Sequence, residues 1–432
     1  MQYFSTNNPN HKVSLSQAVI KGLAPDNGLY MPERIPVLSQ ELIERLSQLS
    51  FQEIGYEVIG ALFSEDLSES QIKELVDHTL TFDAPLVKVA EDLYSLELFH
   101  GPTLAFKDFG ARFCSKLMSM LHGKNDKTVR VLVATSGDTG SAVANGFLGV
   151  DGVEVIILFP KGKVSLLQEK QFTTLGQNIT ALEVDGVFDD CQTLVKQAFL
   201  DAGLNEKLLL TSANSINIAR WIPQCLYYFY AYSRLPKDGK KVVFAVPSGN
   251  FGNVGAGILA QQMGLPIDRF VAATNVNKVV PDYLRGEAFA AKPSIQTVSN
   301  SMDVGNPSNF PRLLALYGGD EAKFRENVKG YFYTDEETVQ AIQAVKPLGY
   351  TLDPHGAVGY LGLKDFLSEN PDYVGVFLET AHPGKFRDVV EEALGEELVL
   401  PERLAAFLDG EKSVIGMGKS FEEFKGFLEG LN

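Results

Sequence analysis

From about residue 100 onward, short apolar runs rich in β-branched residues alternate with longer amphipathic stretches, and this alternation restricts the chain more than any other feature. A parallel strand reaches its neighbour only through a crossover, usually a helix, so the pattern predicts an α/β fold with open, mostly parallel sheet and flanking helices. The expected strands are Val129 to Ala134, Val153 to Phe159, Lys241 to Val246, Phe270 to Thr274 and Tyr373 to Leu378. Four of them run into loops of small polar residues: TSGDTG at 135–140, PKGKVS at 160–165, PSGNFGN at 247–253 and ETAHPG at 379–384. Ligands of such sheets bind outside the carboxyl ends of the strands, and these loops are therefore the candidate site.

At 432 residues the chain exceeds one hydrophobic core, and about 150 residues per domain suggests two or three. Helical patterns at 38–63 and 69–80, with little strand alternation before Leu93, set residues 1–95 apart as an N-terminal helical subdomain. Residues 96–235 then read as a smaller α/β domain and 236–432 as a larger one, its end from Glu402 forming a peripheral cap.

The net charge of -16 removes the basic surface that nucleic acid or anionic lipid would need, so an anionic ligand requires a local site. Cys114, Cys191 and Cys225 are widely spaced and include no CxxC, which suggests neither a disulfide framework nor zinc and fits a reducing cytoplasm. The first residues, Met1 to Gln17, lack the apolar stretch of a signal peptide, and no apolar run approaches a membrane span. The six histidines show no metal-ligand spacing, so no metal is expected. Nothing in the sequence indicates an oligomeric state.

In GPTLAFKDFGARF, 101–113, Lys107 stands between two phenylalanines at the start of a helical pattern reaching about Leu121. A positive helix end and apolar rings both disfavour an ammonium, which leaves an amine ready to attack an aldehyde. On this segment alone, a lysine snorkelling to water reads equally well. PSGNFGN leads into a helical pattern at Val254 to Met263, so Gly249, Asn250, Gly252 and Asn253 can present N–H groups to a phosphate. It is neither GxGxxG nor a Walker A loop, and the next strand runs into Asn275 instead of an acidic ribose partner, which disfavours a dinucleotide. TSGDTGSA and SANSIN (212–217) are polar helix starts suited to an anion or to simple capping, and PKGKVS adds two lysines.

These elements, in this order, resemble the fold-type II pyridoxal-phosphate (PLP) enzymes, the tryptophan synthase β-like group with two open twisted sheets. The strings FHGPTLAFKDFG, TSGDTGSA, PSGNFGN and ETAHPGKF are similar to those of threonine synthases of the long bacterial and fungal kind. So are SLSQAVIKGLAPDNGLYMP, SANSINIAR, AATNVN at 272–277 and DPHGAVGY at 353–360, so the resemblance spans nearly the whole chain.

The resemblance implies that Lys107 is the Schiff-base lysine, that Gly249, Asn250, Phe251, Gly252 and Asn253 line the PLP phosphate, and that Thr380 faces the pyridine nitrogen. It implies that Ser136, Gly137, Asp138, Thr139 and Gly140 hold the substrate carboxylate or the pyridine hydroxyl region. The wider fold type usually carries Asn where Asp138 stands, whereas long threonine synthases resemble this chain there. Candidate contacts to a departing phosphate are Lys161, Lys163, Asn214, Asn217, Arg220 and His355, the last also readable as a structural histidine at the start of helix 355–367. The implied reaction converts O-phospho-L-homoserine and water to L-threonine and phosphate. A PLP-dependent phospholyase or serine/threonine dehydratase giving a 2-keto acid, and a PLP-binding regulatory protein without catalysis, are the competing readings.

Overall fold

The five expected strands form within one residue of their expected ends, as Val129–Ala134, Val153–Pro160, Lys241–Pro247, Arg269–Thr274 and Tyr373–Glu379. The structure, a computed structural model, describes residues 1–122, 127–236 and 238–431. Six further strands complete the two large sheets: Leu86–Ala90, Leu93–Glu97, Ile179–Val184, Leu209–Ser212, Val328–Phe332 and Ile415–Met417. They escaped the sequence reading because they are short or half-exposed, which leaves a weak alternation.

Backbone proximity divides the chain into two compact units, and the division differs from three consecutive domains. The first comprises Met1, Pro32–Phe106 and Trp221–Leu400; the second comprises Gln2–Met31, Lys107–Arg220 and Pro401–Asn432. The amino-terminal segment is thus shared between units, and the carboxyl-terminal cap belongs with the second. The cause is pairing at long sequence range. Strand Ile415–Met417 adds in parallel to Ile179–Val184, and Phe424 and Leu428 enter the core formed by Leu132, Ile156, Leu182 and Leu194. The side-chain amide of Asn217 donates to the carbonyl of Val19 at 2.9 Å, drawing in the helix Leu15–Lys21.

In the first unit the strand order is Val328–Phe332, Arg269–Thr274, Lys241–Pro247, Tyr373–Glu379, Leu93–Glu97, Leu86–Ala90, parallel throughout except for the last pair. In the second it is Ile415–Met417, Ile179–Val184, Val153–Pro160, Val129–Ala134, Leu209–Ser212, all parallel. Every residue of Val129–Ala134 and of Tyr373–Glu379 is buried, as strands covered on both faces must be. The first unit's core centres on Val243, Ala245, Val271, Phe377, Val358 and Leu363, each of the larger side chains contributing about 1.5–3 kcal/mol.

The helix Lys107–Leu121 forms because Phe109, Phe113 and Leu117 recur every fourth residue on a buried stripe, and Asp108 favours its positive end. Among the described residues no helix is long and apolar enough to cross a membrane.

Candidate active site

Within the second unit, strands Val129–Ala134 and Val153–Pro160 are neighbours, so their carboxyl-terminal loops meet. Lys107 opens its helix with Nζ 3.6 Å from Oδ2 of Asp138; the side chains are 17% and 4% exposed. Asp138 opens the helix Asp138–Phe147, where the dipole favours its charge. Its Oδ1 accepts from Nε2 of Gln168 at 3.0 Å, while Oε1 of Gln168 accepts from the hydroxyl of Ser165 at 2.9 Å. Ser165 ends PKGKVS and caps the helix Leu166–Thr173, so Lys107, Asp138, Gln168 and Ser165 form one chain of contacts. Phe109 is buried and Phe106 half-buried. The expected hostility to a cation is nevertheless offset, because a carboxylate at this distance favours an ammonium.

The hydroxyl of Thr135 accepts from the N–H groups of Gly137 at 2.9 Å and Gly140 at 2.8 Å, shaping the loop that presents Ser136 and Thr139, both half-buried. Gly137 has φ of 140°, and a Cβ there would stand 2.6 Å from Cδ of Gln168, so only glycine fits.

In the first unit, strands Lys241–Pro247 and Tyr373–Glu379 are neighbours and bring PSGNFGN beside ETAHPG. The loop is built for close approach. A Cβ on Gly249 would lie 2.9 Å from Cα of Met302. Phe251 is left-handed at φ 59°, a costly conformation for a bulky residue. Oδ1 of Asn250 accepts from the hydroxyl of Ser308 at 3.0 Å. Gly252 and Asn253 begin the 11-residue helix Gly252–Gln262. Oδ1 of Asn253 accepts from the hydroxyls of Tyr227 and Tyr228 at 2.7 and 2.8 Å, leaving its buried Nδ2 with no partner among the described residues. An unused donor and a glycine-lined helix end fit an anionic group such as the phosphate of PLP.

The segment leading to Lys107 lies along ETAHPG. The N–H of Phe106 donates to the carbonyl of Thr380 at 2.9 Å and that of His382 to Leu104 at 3.1 Å, with an antiparallel bridge between Ala105 and Ala381. Leu104 is the other left-handed residue here, at φ 57°. Nζ of Lys385, a buried lysine, donates to the carbonyl of Thr103 at 2.8 Å. Thr380 is itself buried.

Three candidates for a departing phosphate have other work. Asn217 spends both amide hydrogens on the carbonyls of Val19 and Ser212, and its oxygen accepts from Ala219. Arg220 is buried, donates to the carbonyl of Ala213, and packs beneath the Lys107 helix, where a Cβ on Gly110 would meet its carbonyl at 2.7 Å. Burial pushes its guanidinium down, opposed by Cys114 and Asp108. His355 is buried with Nδ1 at Asp353 and Nε2 accepting from the N–H of Ser301, so neither nitrogen is left to donate to a phosphate. Lys161 and Lys163 lie exposed on their turn, and the side-chain oxygen of Asn214 is buried without a partner among the described residues.

Sequence reasoning passed over Thr135, Gln168 and Lys385. Thr135 heads TSGDTG and Lys385 lies in ETAHPGKF, so both were signalled by their strings. Gln168 was not, because its partner Asp138 stands 30 residues away.

The family model described as "Pyridoxal-phosphate dependent enzyme" matches residues 81–378. "Threonine synthase N terminus" matches 2–80, and "Threonine synthase, C-terminal" matches 356–428. A threonine synthase from Haemophilus influenzae is 46% identical over 405 residues, covering 94% of each chain. A crystal structure of threonine synthase from Escherichia coli superposes with a TM-score of 0.94 at 43% identity over 100% of both chains. PLP-bound threonine synthase from Brucella melitensis superposes at 0.92 with 34% identity, over 100% of this chain and 99% of that one. Fold and loops together define a fold-type II PLP-dependent enzyme. Agreement over the amino- and carboxyl-terminal segments as well narrows the class: the chain belongs to the threonine synthase family.

Proposed function

We propose that this enzyme converts O-phospho-L-homoserine and water to L-threonine and phosphate, with Lys107 as its covalent attachment to PLP and its principal proton carrier. The observation that carries the proposal is the Lys107, Asp138, Gln168 array, in which a lysine amine at a helix start stands 3.6 Å from a carboxylate whose other oxygen is held. The backbone N–H groups of Gly249, Asn250, Phe251, Gly252 and Asn253 hold the cofactor phosphate, supported by the strained loop and by Nδ2 of Asn253, which has no partner among the described residues. Thr380 offers a hydroxyl to the pyridine nitrogen. The cofactor, when bound, supplies an electron sink for the charge left by proton removal at the substrate α-carbon.

Lys107 takes that proton, gives it up before taking a second one from the β-carbon, and returns protons to the γ-carbon that phosphate has left and to the α-carbon, while water adds its hydroxyl at the β-carbon; Asp138 steadies the ammonium each time it forms. A hydroxyl at Thr380 does not enforce full protonation of the ring nitrogen as a carboxylate would, so more of the proton work falls to Lys107. The loop Ser136–Gly140 holds the substrate carboxylate through its N–H groups and hydroxyls. Lys161, Lys163 and Asn214 steady the departing phosphate as it leaves the γ-carbon. The exposed lysines support this assignment, since a chain of net charge -16 must concentrate positive charge locally to attract an anionic substrate. The buried free cysteines Cys114, Cys191 and Cys225 are in keeping with a cytoplasmic setting.

The attachment is tested by borohydride reduction of the PLP-loaded protein followed by peptide mapping. The pyridoxyl group is expected on Lys107, and its recovery on another lysine overturns the assignment.

A further inference from the structure

Glu379, Asp353 and His355 form a buried titratable chain in the first unit that the proposed reaction leaves unused. Asp353 caps the 16-residue helix Pro354–Glu369. Its Oδ1 accepts from the N–H of His355 at 2.8 Å and faces Nδ1 of the same ring at 2.6 Å. Glu379 ends the strand Tyr373–Glu379 and accepts from the N–H of Asp353 at 2.5 Å through Oε1. Burial first, and the charge of Asp353 second, push the Glu379 carboxyl well above the usual carboxylate range, which favours its neutral acid form.

At the other end of the chain, Nε2 of His355 accepts from the N–H of Ser301 at 3.2 Å. With a carboxylate at Nδ1 and an N–H donor at Nε2, the network assigns the neutral ring with its hydrogen on Nδ1. Ser301 lies in the turn Asn300–Met302. That turn abuts the glycine of PSGNFGN: a Cβ on Gly249 would stand 2.9 Å from Cα of Met302 and 3.0 Å from the carbonyl oxygen of Ser301.

AATNVN fastens the same segment. Nδ2 of Asn275 donates to the hydroxyl of Ser299 at 3.1 Å and to Oδ1 of Asp303 at 2.9 Å, and the hydroxyl of Thr297 donates to Oδ1 of Asp303 at 2.7 Å. Two strings that the proposed reaction leaves unused, AATNVN and DPHGAVGY, thus converge on one turn behind the phosphate loop.

We propose that His355, oriented by Asp353 and Glu379, is a positioning residue for the cofactor: it holds the turn 300–302 against Gly249 and so fixes the N–H groups of residues 249–253. The inference rests on the assignment of that loop to the PLP phosphate. A histidine suits the task because it joins a carboxylate to a backbone donor rigidly without carrying charge into the core. Losing the acceptor removes the bond that ties Ser301 to His355 and lets the turn relax away from Gly249.

The test compares wild type, His355→Ala and His355→Gln by the dissociation constant for PLP and by the ³¹P resonance of the bound phosphate. Glutamine keeps an oxygen that can accept from Ser301, and alanine does not. The dissociation constant is expected to rise at least about tenfold in His355→Ala with a displaced ³¹P resonance, and to recover in part in His355→Gln. Wild-type affinity and resonance in His355→Ala overturn the positioning role. A wild-type protein with no bound-phosphate signal overturns the loop assignment beneath it. In case His355→Ala does not fold, ¹⁵N spectra of wild-type His355 with and without PLP give a second reading. A neutral ring whose Nε2 resonance moves on PLP binding is expected, and an imidazolium, or a ring indifferent to PLP, overturns the inference.

Discussion

Asp138 holds one carboxylate oxygen 3.6 Å from Nζ of Lys107 while Gln168 holds the other at 3.0 Å. The carboxylate is thereby a fixed negative charge beside the proposed base, raising the proton affinity of the amine above what its apolar surroundings alone would set. Asp138→Asn keeps an acceptor for Gln168 and removes the charge. We expect kcat to fall at least about tenfold, and the acidic limb of its pH profile to move to lower pH because Lys107 loses its proton more readily. Steady-state kinetics between pH 6 and 9 check this, and an unmoved limb removes Asp138 from the proton chemistry.

Lys161 and Arg220, alike as cations in the sequence, should separate by experiment. Lys161 is exposed on its turn, so Lys161→Ala should leave the thermal midpoint unchanged and lower kcat/KM for O-phosphohomoserine about tenfold, near 1.4 kcal/mol. Arg220 is buried under the Lys107 helix, and Arg220→Ala should cost about 2 kcal/mol or more of stability. Thermal melts and kinetics on both variants decide; equal midpoints contradict the placement of Arg220.

That contrast shows what the sequence could and could not tell. The strands, the Lys107 helix and the loops were legible because burial imposes a period on neighbouring residues, and glycines mark where backbone must approach closely. Which polar residues point toward a ligand was not. Asn217 and His355 look like ligand contacts in their strings, yet each is consumed by a partner far along the chain, Val19 in one case and Ser301 in the other. Gln168 carries no local mark at all. The unit boundaries were hidden for the same reason, since the strand Ile415–Met417 finds its neighbour Ile179–Val184 more than 200 residues earlier.

Burial favours the neutral acid at Glu379, and that has its own consequence. Glu379→Gln mimics that form and keeps an acceptor for the N–H of Asp353, so its thermal midpoint and PLP affinity should match wild type. Glu379→Ala leaves that buried N–H unmade and should cost about 1–3 kcal/mol. A large loss in Glu379→Gln would mean that the carboxylate, and not the acid, is the working form.

His382 should make the fold sensitive to acid. Burial first, and the charge of His100 second, lower its ring to about 4 from 6.5, and its Nδ1 accepts from the N–H of Gly384 at 3.0 Å. Between those values the unfolded chain binds a proton that the folded chain does not. The stability this residue contributes is therefore complete above about pH 6.5 and lost as pH falls toward about 4. His382→Asn keeps an acceptor for Gly384 and cannot titrate. The wild-type melting midpoint should fall faster than the variant's between pH 6.5 and 4, and parallel curves would contradict the burial assigned to the ring.

Synthesis and simple elimination on this scaffold diverge in their products, so the most direct measurement is to incubate the PLP-loaded protein with O-phospho-L-homoserine and identify both products by mass and chirality. L-threonine and inorganic phosphate in equal amounts are expected, with free homoserine a very poor substrate. A 2-keto acid as the main product, or homoserine reacting as well as its phosphate ester, would contradict the proposed reaction.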